Sequence, residues 1–283
     1  MLDAAKKKEL SIIATKIRMA AIEGTYHAKS GHPGGSLSIA DLLSVLYFSH
    51  MKVDPSNPFW PQRDRLVLSK GHSAPALYGA LALKGYFPVE EMSRLRQVGS
   101  HLQGHPDMKG TPGVDMTTGS LGQGVSAAVG MALAGKLDNA DYRVYAILGD
   151  GEIEEGQVWE AAMFASHKKL DNLCLIVDNN NLQIDGTVEE VNSPYPIVEK
   201  FAAFGFNVLT IDGHDLEQIE NALNQAKECK GKPTVIVQRS VKGKGVSFME
   251  NQVGWHGVAP NQEQYTLAMN ELKEQLARLE EAK

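Results

Sequence analysis

The sequence has little cysteine, no long apolar run and no excess of positive charge. Its two cysteines, Cys174 and Cys229, form neither a metal-binding spacing nor a disulfide framework, so a reducing compartment is the simplest environment. Lysine and arginine number 28 against 34 aspartates and glutamates, and this net charge of −6 argues against a nucleic-acid surface. No apolar run approaches membrane-spanning length, and the N-terminus lacks a signal-peptide core. We therefore expect a cytoplasmic protein that binds neither nucleic acid nor membrane.

What the sequence does contain is a regular alternation of helical and strand patterns. Hydrophobic residues make up 43% of 283 residues, which is enough for one large α/β core. The alternation predicts a doubly wound, mainly parallel sheet flanked by helices. Without a repeat, linker or boundary, residues 1–283 are expected to form one domain with a C-terminal helical extension. The predicted helices are 4–29, 39–49, 74–84, 121–137, 157–168, 216–230 and 262–282, and the predicted strands are 66–68, 144–148, 173–177, 207–211 and 234–238.

The most informative motif is Gly149-Asp150-Gly151, which directly follows the apolar run 144–148. This position places Asp150 at the carboxyl end of a strand, where open α/β sheets bind ligands. The flanking glycines allow the backbone to approach a phosphate closely and to turn into a helix whose N-terminal N–H groups favour an anion. On its own, the tripeptide could equally be a plain turn.

A second polar turn, Asn179-Asn180-Asn181, follows the predicted strand 173–177. Because carboxyl ends of neighbouring parallel strands meet at one sheet edge, this turn is expected to lie beside Asp150. Mg²⁺ prefers oxygen ligands shared between one or two side chains and phosphates, and a carboxylate with an asparagine amide oxygen meets that requirement. The pair of turns therefore predicts a magnesium diphosphate clamp rather than two unrelated loops.

This pair of turns resembles the thiamine diphosphate signature, and the resemblance extends along nearly the whole chain. Further motifs occur in the order seen in transketolases, over about 225 residues. These motifs are Ser30-Gly31-His32-Pro33-Gly34, Ser69-Lys70-Gly71-His72, Gly104-His105-Pro106-Asp107, Thr117-Thr118-Gly119-Ser120-Leu121-Gly122-Gln123-Gly124 and Trp255-His256-Gly257. The resemblance implies transfer of a two-carbon ketol unit from a ketose phosphate to an aldose phosphate, with thiamine diphosphate as the cofactor.

The same resemblance implies which residues hold the cofactor and its metal. Asp150, Asn180 and the carbonyl of Leu182 would bind the cation, which is expected to be Mg²⁺, with Ca²⁺ or Mn²⁺ as substitutes. Gly151 would offer its N–H to the diphosphate. The full set of implied cofactor contacts is His72, Gly119, Leu121, Gly151, Glu155, Asn180 and His256.

Four of the nine histidines lie beside glycine, in loops that can present a side chain to a cleft. By resemblance His32, His105 and His256 are catalytic and face the substrate, while His72 touches the cofactor. Neutral or charged imidazoles can donate to a developing oxyanion and move protons near neutral pH. The other histidines match no motif and are interpreted as surface or capping residues; they are His27, His50, His101, His167 and His214.

For two pairs of charged residues, the sequence leaves two possible roles open. By resemblance Glu155 and Glu160 join a carboxylate network at a subunit interface, but a solvated acidic helix face is the alternative. Lys242 and Lys244 could lie near phosphate, although lysines separated by glycine more often belong to a loop surface.

One expected group is absent from the sequence. In the family, a glutamate that hydrogen-bonds the cofactor's pyrimidine ring lies in a second domain and comes from a neighbouring subunit. This sequence ends, after the helical pattern 262–282, where that domain would begin. It therefore resembles the N-terminal subunit of a split transketolase, whose partner would be a C-terminal subunit that carries the pyrimidine-binding domain and the glutamate. Together they are expected to form a heterotetramer.

Two other functions stay open from the sequence. A related half-enzyme could act on unusual or sulfonated sugars or make deoxyxylulose phosphate, because contacts with the substrate phosphate would lie mostly in the partner. A noncatalytic, cofactor-binding regulator is the other alternative. The retention of Asp150, Asn180 and the four glycine-flanked histidines argues against it, because buried polar groups are costly to keep without a use.

Overall fold

Five parallel strands form the centre of the molecule. The structure is a computed structural model that describes residues 2–282. The strands pair in the order β1-β2-β3-β5-β4. They are β1 (Arg65–Leu68), β2 (Val144–Gly149), β3 (Leu173–Asn179), β4 (Asn207–Asp212) and β5 (Thr234–Arg239). The predicted α/β fold with a parallel sheet is confirmed, and each predicted strand lies within an observed one.

Helices connect and cover the strands. Most predicted helices agree with the observed ones to within two residues at each end. The helices are α1 (Ala4–Ala28), α2 (Pro33–Leu37), α3 (Ala40–Val45), α4 (Ala74–Lys84), α5 (Gln123–Leu137), α6 (Gly156–His167), α7 (Val188–Asn192), α8 (Ile197–Ala203), α9 (Leu216–Glu228) and α10 (Gln262–Glu281).

Two predictions about the helices were wrong. The single helix predicted over 39–49 is α3 followed by a π-helical turn, Leu46–His50, in which His50 turns inward to meet the Tyr145 hydroxyl. The short helices α2, α7 and α8 were not predicted, because five to seven residues are too few to show a helical period.

Alternate residues of each strand face opposite layers of helices. In β2, Tyr145 and Ile147 pack in one hydrophobic cluster, with side chains of α1, α3, α4 and α9. Val144, Ala146 and Leu148 pack in a second cluster, with α5, α6 and α8. Since the side-chain period of a strand is two residues, helices on both faces make the strands almost continuously apolar, as the sequence indicated.

The helix α10 closes the molecule against α1. Ala268, Met269 and Leu272 of α10 pack against Ile22 of α1 in a third cluster. A capping box between Asn261 and Gln264 fixes the start of α10. No helix within residues 2–282 combines the length and the apolar character that crossing a membrane requires.

Candidate active site

The carboxyl ends of β2 and β3 place the two predicted turns side by side. Gly149 is in register with Asp178, so Asp150 and Asn180 follow on adjacent strands. Asp150 is 2% exposed, and its carboxylate accepts the N–H of Asn181 at 2.5 Å and the N–H of Gly151 at 3.0 Å. Local hydrogen bonds therefore fix Asp150 at the sheet edge, where the motif predicted it.

Asn180 and Leu182 add two more oxygen atoms to this edge. The amide nitrogen of Asn180 donates to Asp178 at 3.0 Å, which orients the amide, and its oxygen accepts the N–H of Leu182 at 3.1 Å. The carbonyl of Leu182 accepts a hydrogen bond from Lys242 at 2.9 Å. Within the described chain, no cluster of three or more His, Cys, Asp or Glu side chains could hold a metal. The oxygen atoms available here suit a hard cation such as Mg²⁺, which takes few protein ligands.

The electrostatics of Asp150 also fit a cation. Burial, with a further contribution from the charge of Asp178, raises the pKa of Asp150 to about 7, and the hydrogen bond from Asn181 only partly offsets this. An ionised carboxylate at this position is therefore costly without a nearby positive charge. A divalent cation would supply that charge.

A buried ion pair lies behind the metal-binding atoms. Lys70 and Asp178 are almost fully buried, and their charged atoms are 2.6 Å apart. Burial alone would raise the pKa of Asp178, but the charge of Lys70 and the hydrogen bonds from Lys70, Ser240 and Ser38 together lower it to about 2. Asp178 also accepts hydrogen bonds from Ser38, Ser240 and Gln238. This pair was not predicted from the sequence, although Lys70 lies in the motif Ser69-Lys70-Gly71-His72 and Asp178 directly precedes the asparagine turn.

The interpretation of Lys242 as loop surface was wrong. Its side chain is 2% exposed and lines the same cavity as Asp150, whereas Lys244 is half-buried and pairs with Glu250. The ammonium of Lys242 donates to the Leu182 carbonyl and lies 2.8 Å from Nδ1 of His256. Burial and the nearby Lys70 lower its pKa to about 8. Lys242 therefore brings positive charge to the cavity.

Two contacts hold the segment that carries Lys242. Gly243 donates its N–H to the Gly34 carbonyl at 3.0 Å. Its φ of 81° lies in the left-handed region, and an added Cβ would be 2.2 Å from the Met249 carbonyl oxygen, so only glycine fits. The glycine after Lys242 was the one sequence signal for this inward turn.

The four glycine-flanked histidines lie together, and two of them, His72 and His256, line the same cavity as the metal-binding atoms. The ring centroid of His32 is 5.4 Å from that of His72, 6.1 Å from that of His105 and 5.5 Å from that of His256. Burial is the main cause that lowers the pKa of His32 to about 4 and that of His256 to about 3, and burial also lowers the pKa values of His72 and His105. At neutral pH these imidazoles are therefore neutral.

The remaining predicted contacts fall on two sides of the site. His72, Leu121, Gly151 and His256 line a cavity of about 210 Å³ together with the metal-binding atoms. Gly119 lies beside it, where an added Cβ would be 3.2 Å from the ring of His105.

Glu155 and Glu160 are exposed and do not line this cavity. Glu155 nevertheless lies against the segment that carries Leu121, because an added Cβ on Gly122 would be 2.9 Å from Cβ of Glu155. Its role as a cofactor contact stays a prediction. Whether the two glutamates meet another subunit stays a prediction.

Two of the histidines without a motif are not surface residues. His50 is buried and its Nε2 lies 3.0 Å from the Tyr145 hydroxyl. His214 Nε2 accepts the N–H of Val241, and its Nδ1 lies 2.8 Å from Asp41. The interpretation as surface or capping residues was therefore wrong for His50 and His214, since contacts distant in sequence decide both positions. His27 and His167 are exposed, as predicted.

Comparisons with known proteins show which proteins the chain is similar to. Residues 10–276 match the family model described as "Transketolase, thiamine diphosphate binding domain". The chain is 51% identical to the 6-deoxy-6-sulfo-D-fructose transketolase subunit of Clostridium sp. strain MSTE9, over 93% of this chain and 95% of that protein. It is 44% identical to the transketolase subunit of Phocaeicola vulgatus that is named for apulose 4-phosphate, over 96% of each. The solved transketolase of Campylobacter jejuni superposes with a TM-score of 0.87 at 36% identity; 95% of this chain covers 45% of that one.

Proposed function

The chain belongs to the transketolase family and matches its N-terminal, thiamine diphosphate-binding subunit, and from this premise we propose a specific activity and assembly. It transfers a two-carbon ketol unit from a ketose phosphate to an aldose phosphate, together with a separate C-terminal subunit. The observation that carries this proposal is that the Asp150, Asn180 and Leu182 oxygen atoms share one cavity with His72 and His256, whose rings lie next to that of His32. Residues 1–283 act as one diphosphate-binding domain, with α10 docked on α1.

The cofactor is thiamine diphosphate held through Mg²⁺. Asp150, Asn180 and Leu182 would hold the cation, and the ammonium of Lys242, which lies beside the Leu182 carbonyl, would face the diphosphate charge. His72, Gly119, Leu121 and Gly151 border the rest of the cofactor. When bound, thiamine diphosphate supplies the carbanion that attacks the ketose carbonyl.

The substrate is handled by His32, His105 and His256. A neutral imidazole donates one N–H and accepts at the other nitrogen, so it can bind an alkoxide and receive a proton. Nδ1 of His256 accepts from Lys242, which leaves the hydrogen on Nε2 for donation. Nδ1 of His32 is buried and has no hydrogen-bond partner among residues 2–282.

The partner supplies the glutamate for the pyrimidine ring and covers an apolar face. Met163 and Phe164 of α6 are exposed, and Leu137 of α5 is exposed beyond them. Exposed apolar patches of this kind mark interaction surfaces. Glu160 lies one helical turn before Met163 and Phe164 on α6, and Glu155 is the N-cap of that helix, which supports a carboxylate network at the interface. We expect two copies of each subunit in the assembly.

The test is reconstitution from purified subunits. With thiamine diphosphate and Mg²⁺, this chain alone should transfer no ketol unit. Activity should appear on adding the C-terminal subunit and should be half-maximal near equimolar mixing, while light scattering should give the mass of a heterotetramer. Robust turnover by this chain alone would refute the split-enzyme proposal.

A pair of matched variants tests the interface itself. Phe164→Glu should weaken assembly by at least tenfold, since it places charge on the proposed contact face. Phe59→Glu, which changes an exposed phenylalanine outside α5 and α6, should leave assembly unchanged. Equal effects of the two variants would place the interface elsewhere.

A second candidate concerns the donor sugar. The relative with 51% identity is named for 6-deoxy-6-sulfo-D-fructose and the relative with 44% identity for apulose 4-phosphate, which favours an unusual or sulfonated ketose over a common sugar phosphate. The reconstituted enzyme should be assayed with these two donors and with fructose 6-phosphate. A kcat/KM at least tenfold higher for one of the first two would establish this alternative, and the reverse order would exclude it.

A further inference from the structure

The side chain of Glu152 lies in the floor of the cofactor cavity. It is 2% exposed and belongs to the turn that follows Asp150 and Gly151. Its Oε1 accepts the hydroxyl of Ser69 and, at 3.0 Å, the N–H of Gly122. Its Oε2 accepts the N–H of Gly149 at 3.0 Å. One carboxylate therefore receives donors from three separate segments.

Each of the three segments carries residues of the proposed site. Ser69 begins the segment that contains Lys70 and His72. Gly122 ends the segment 119–122, which contains Gly119 and Leu121. Gly149 ends β2 and precedes Asp150 and Gly151. Glu152 is bonded to all three, although 30 residues or more separate it from Ser69 and Gly122.

These segments also touch through their backbones. An added Cβ on Gly71 would be 2.8 Å from the Gly119 nitrogen, and an added Cβ on Gly124 would be 2.7 Å from Cα of Ser69. Such contacts limit how close the segments come to one another, but they do not prevent one segment from shifting along another. Directional hydrogen bonds from all three segments to one carboxylate do prevent such a shift.

From this arrangement we infer that Glu152 is a positioning residue that sets the register of the three cofactor-binding segments. The inference rests on the proposed function. Both carboxylate oxygens accept a backbone N–H, and a backbone N–H cannot reverse its direction. A glutamine would therefore face one N–H with its own NH₂ group and leave a buried donor unpaired. Among residues 2–282, Glu152 takes part in no ion pair within 4.0 Å, so its three hydrogen bonds, together with the more distant charge of Lys70, offset the burial of the carboxylate.

The test compares Glu152→Gln with a matched buried carboxylate at the other end of the sheet. Asp64 is also 2% exposed and accepts two backbone N–H groups, from Lys52 and Arg143, each at 2.8 Å. Both Glu152→Gln and Asp64→Asn should lower the midpoint of urea unfolding. Only Glu152→Gln should also raise the Kd for thiamine diphosphate, by at least tenfold, in calorimetry of the full chain with its partner and Mg²⁺.

Hydrogen exchange distinguishes a local loosening of these segments from a general loss of stability. In Glu152→Gln, exchange should rise in the segments 69–72 and 119–122 relative to the rest of the chain, whereas Asp64→Asn should leave these segments protected. Ser69→Ala removes one donor and keeps the carboxylate and both N–H bonds, so its Kd should rise only a few-fold. If Glu152→Gln does not fold, the Kd of Ser69→Ala for thiamine diphosphate tests the inference in its place, and an unchanged Kd would contradict it.

The outcomes separate this inference from the proposed function. Wild-type affinity in Glu152→Gln, or an equal loss of affinity in Asp64→Asn, would overturn the positioning role while leaving the function intact. A wild-type chain that binds no thiamine diphosphate with Mg²⁺ and partner present would overturn the proposed function first.

Discussion

Two buried aspartates lie at opposite ends of the sheet. Asp64, at the amino ends of β1 and β2, accepts the backbone N–H groups of Lys52 and Arg143. Asp150, at the carboxyl end of β2, is equally buried and also accepts two backbone N–H groups. The difference lies in their surroundings. Asp150 lines the cofactor cavity and faces the charge of Asp178, and its pKa is raised to about 7. Asp64 lies away from that cavity and joins two neighbouring chain segments.

The contrast shows that the same pair of hydrogen bonds can serve stability at one end of a sheet and ligand binding at the other. The carboxyl end gathers the acidic groups Asp150, Glu152 and Asp178 with Lys70 and Lys242, and it keeps four histidines neutral in addition. Such shifted groups cluster where chemistry is done. Substitutions at the carboxyl end should therefore affect turnover and cofactor binding, whereas those at the amino end should affect stability alone.

The largest expected effect is on turnover. His32→Ala and His105→Ala should lower the turnover of the reconstituted enzyme by about 10²–10⁴-fold, the usual contribution of a positioned acid or base. Cofactor affinity should stay within a few-fold, because these rings are proposed to face the substrate. His72→Ala should instead weaken cofactor binding first. Steady-state kinetics and calorimetry on the same preparations separate the two, and equal cofactor loss in all three variants would contradict the division of roles.

The next effect is on stability. Asp178→Asn leaves the ammonium of Lys70 buried without its counter-charge, so the free energy of unfolding should fall by about 3–5 kcal/mol. Asp64→Asn should cost about 1–3 kcal/mol, the penalty for a poorly paired buried donor. Urea unfolding without cofactor measures both, and the double variant Lys70→Met/Asp178→Asn should recover most of the loss. Equal costs at Asp178 and Asp64 would remove the distinction between the two ends.

The metal-binding edge is tested by Asp150→Asn. Cofactor affinity measured across a magnesium titration should fall at least tenfold, because the variant removes the full negative charge that faces the cation. Without cofactor the free energy of unfolding should fall less than in Asp64→Asn. The asparagine leaves one buried N–H poorly paired, but the variant also removes a desolvated carboxylate beside Asp178. Unchanged affinity at every magnesium concentration would exclude the clamp.

The smallest effect concerns a buried carboxylate outside the cofactor cavity. Burial would raise the pKa of Asp41, but the charge of Arg18 and the hydrogen bond with His214 outweigh it and lower the pKa from 3.8 to about 2. The unfolded chain therefore binds more protons than the native one at acid pH. The resulting stabilisation, about 2 kcal/mol, is complete above pH 4 and is lost as pH falls through 2.

Urea unfolding of the wild type and of Asp41→Asn between pH 6 and 3 measures this contribution. The stability difference between the two proteins should shrink by about 1 kcal/mol by pH 3. A difference that does not change with pH would show that Asp41 is not held ionised by Arg18 and His214.

The sequence predicted the sheet well because a strand buried on both faces must be a nearly continuous apolar run. The same logic placed Asp150 and Asn180 at one edge, since parallel neighbours end together. Roles for the histidines came only from the family resemblance, because a glycine beside a histidine indicates a loop but not what the loop faces.

What the sequence did not predict depends on contacts distant along the chain. Lys242 turns inward because Gly243 bonds to Gly34 and leaves no room for a side chain against Met249. Asp178 belongs to the apolar strand β3, and its role depends on its contact with Lys70, which follows a different strand, β1. Neither contact leaves a local pattern.

The Lys70–Asp178 pair also has a consequence for synthesis of the chain. The two residues are 108 positions apart. At translation rates of about 5–20 residues per second, Lys70 is therefore synthesised about 5–20 s before Asp178, its counter-charge. Burying the ammonium during that interval would be strongly unfavourable. The carboxyl end of β1 should therefore stay hydrated on the ribosome until β3 emerges, and a nascent chain stalled before Asp178 should remain open to protease at residues 69–72.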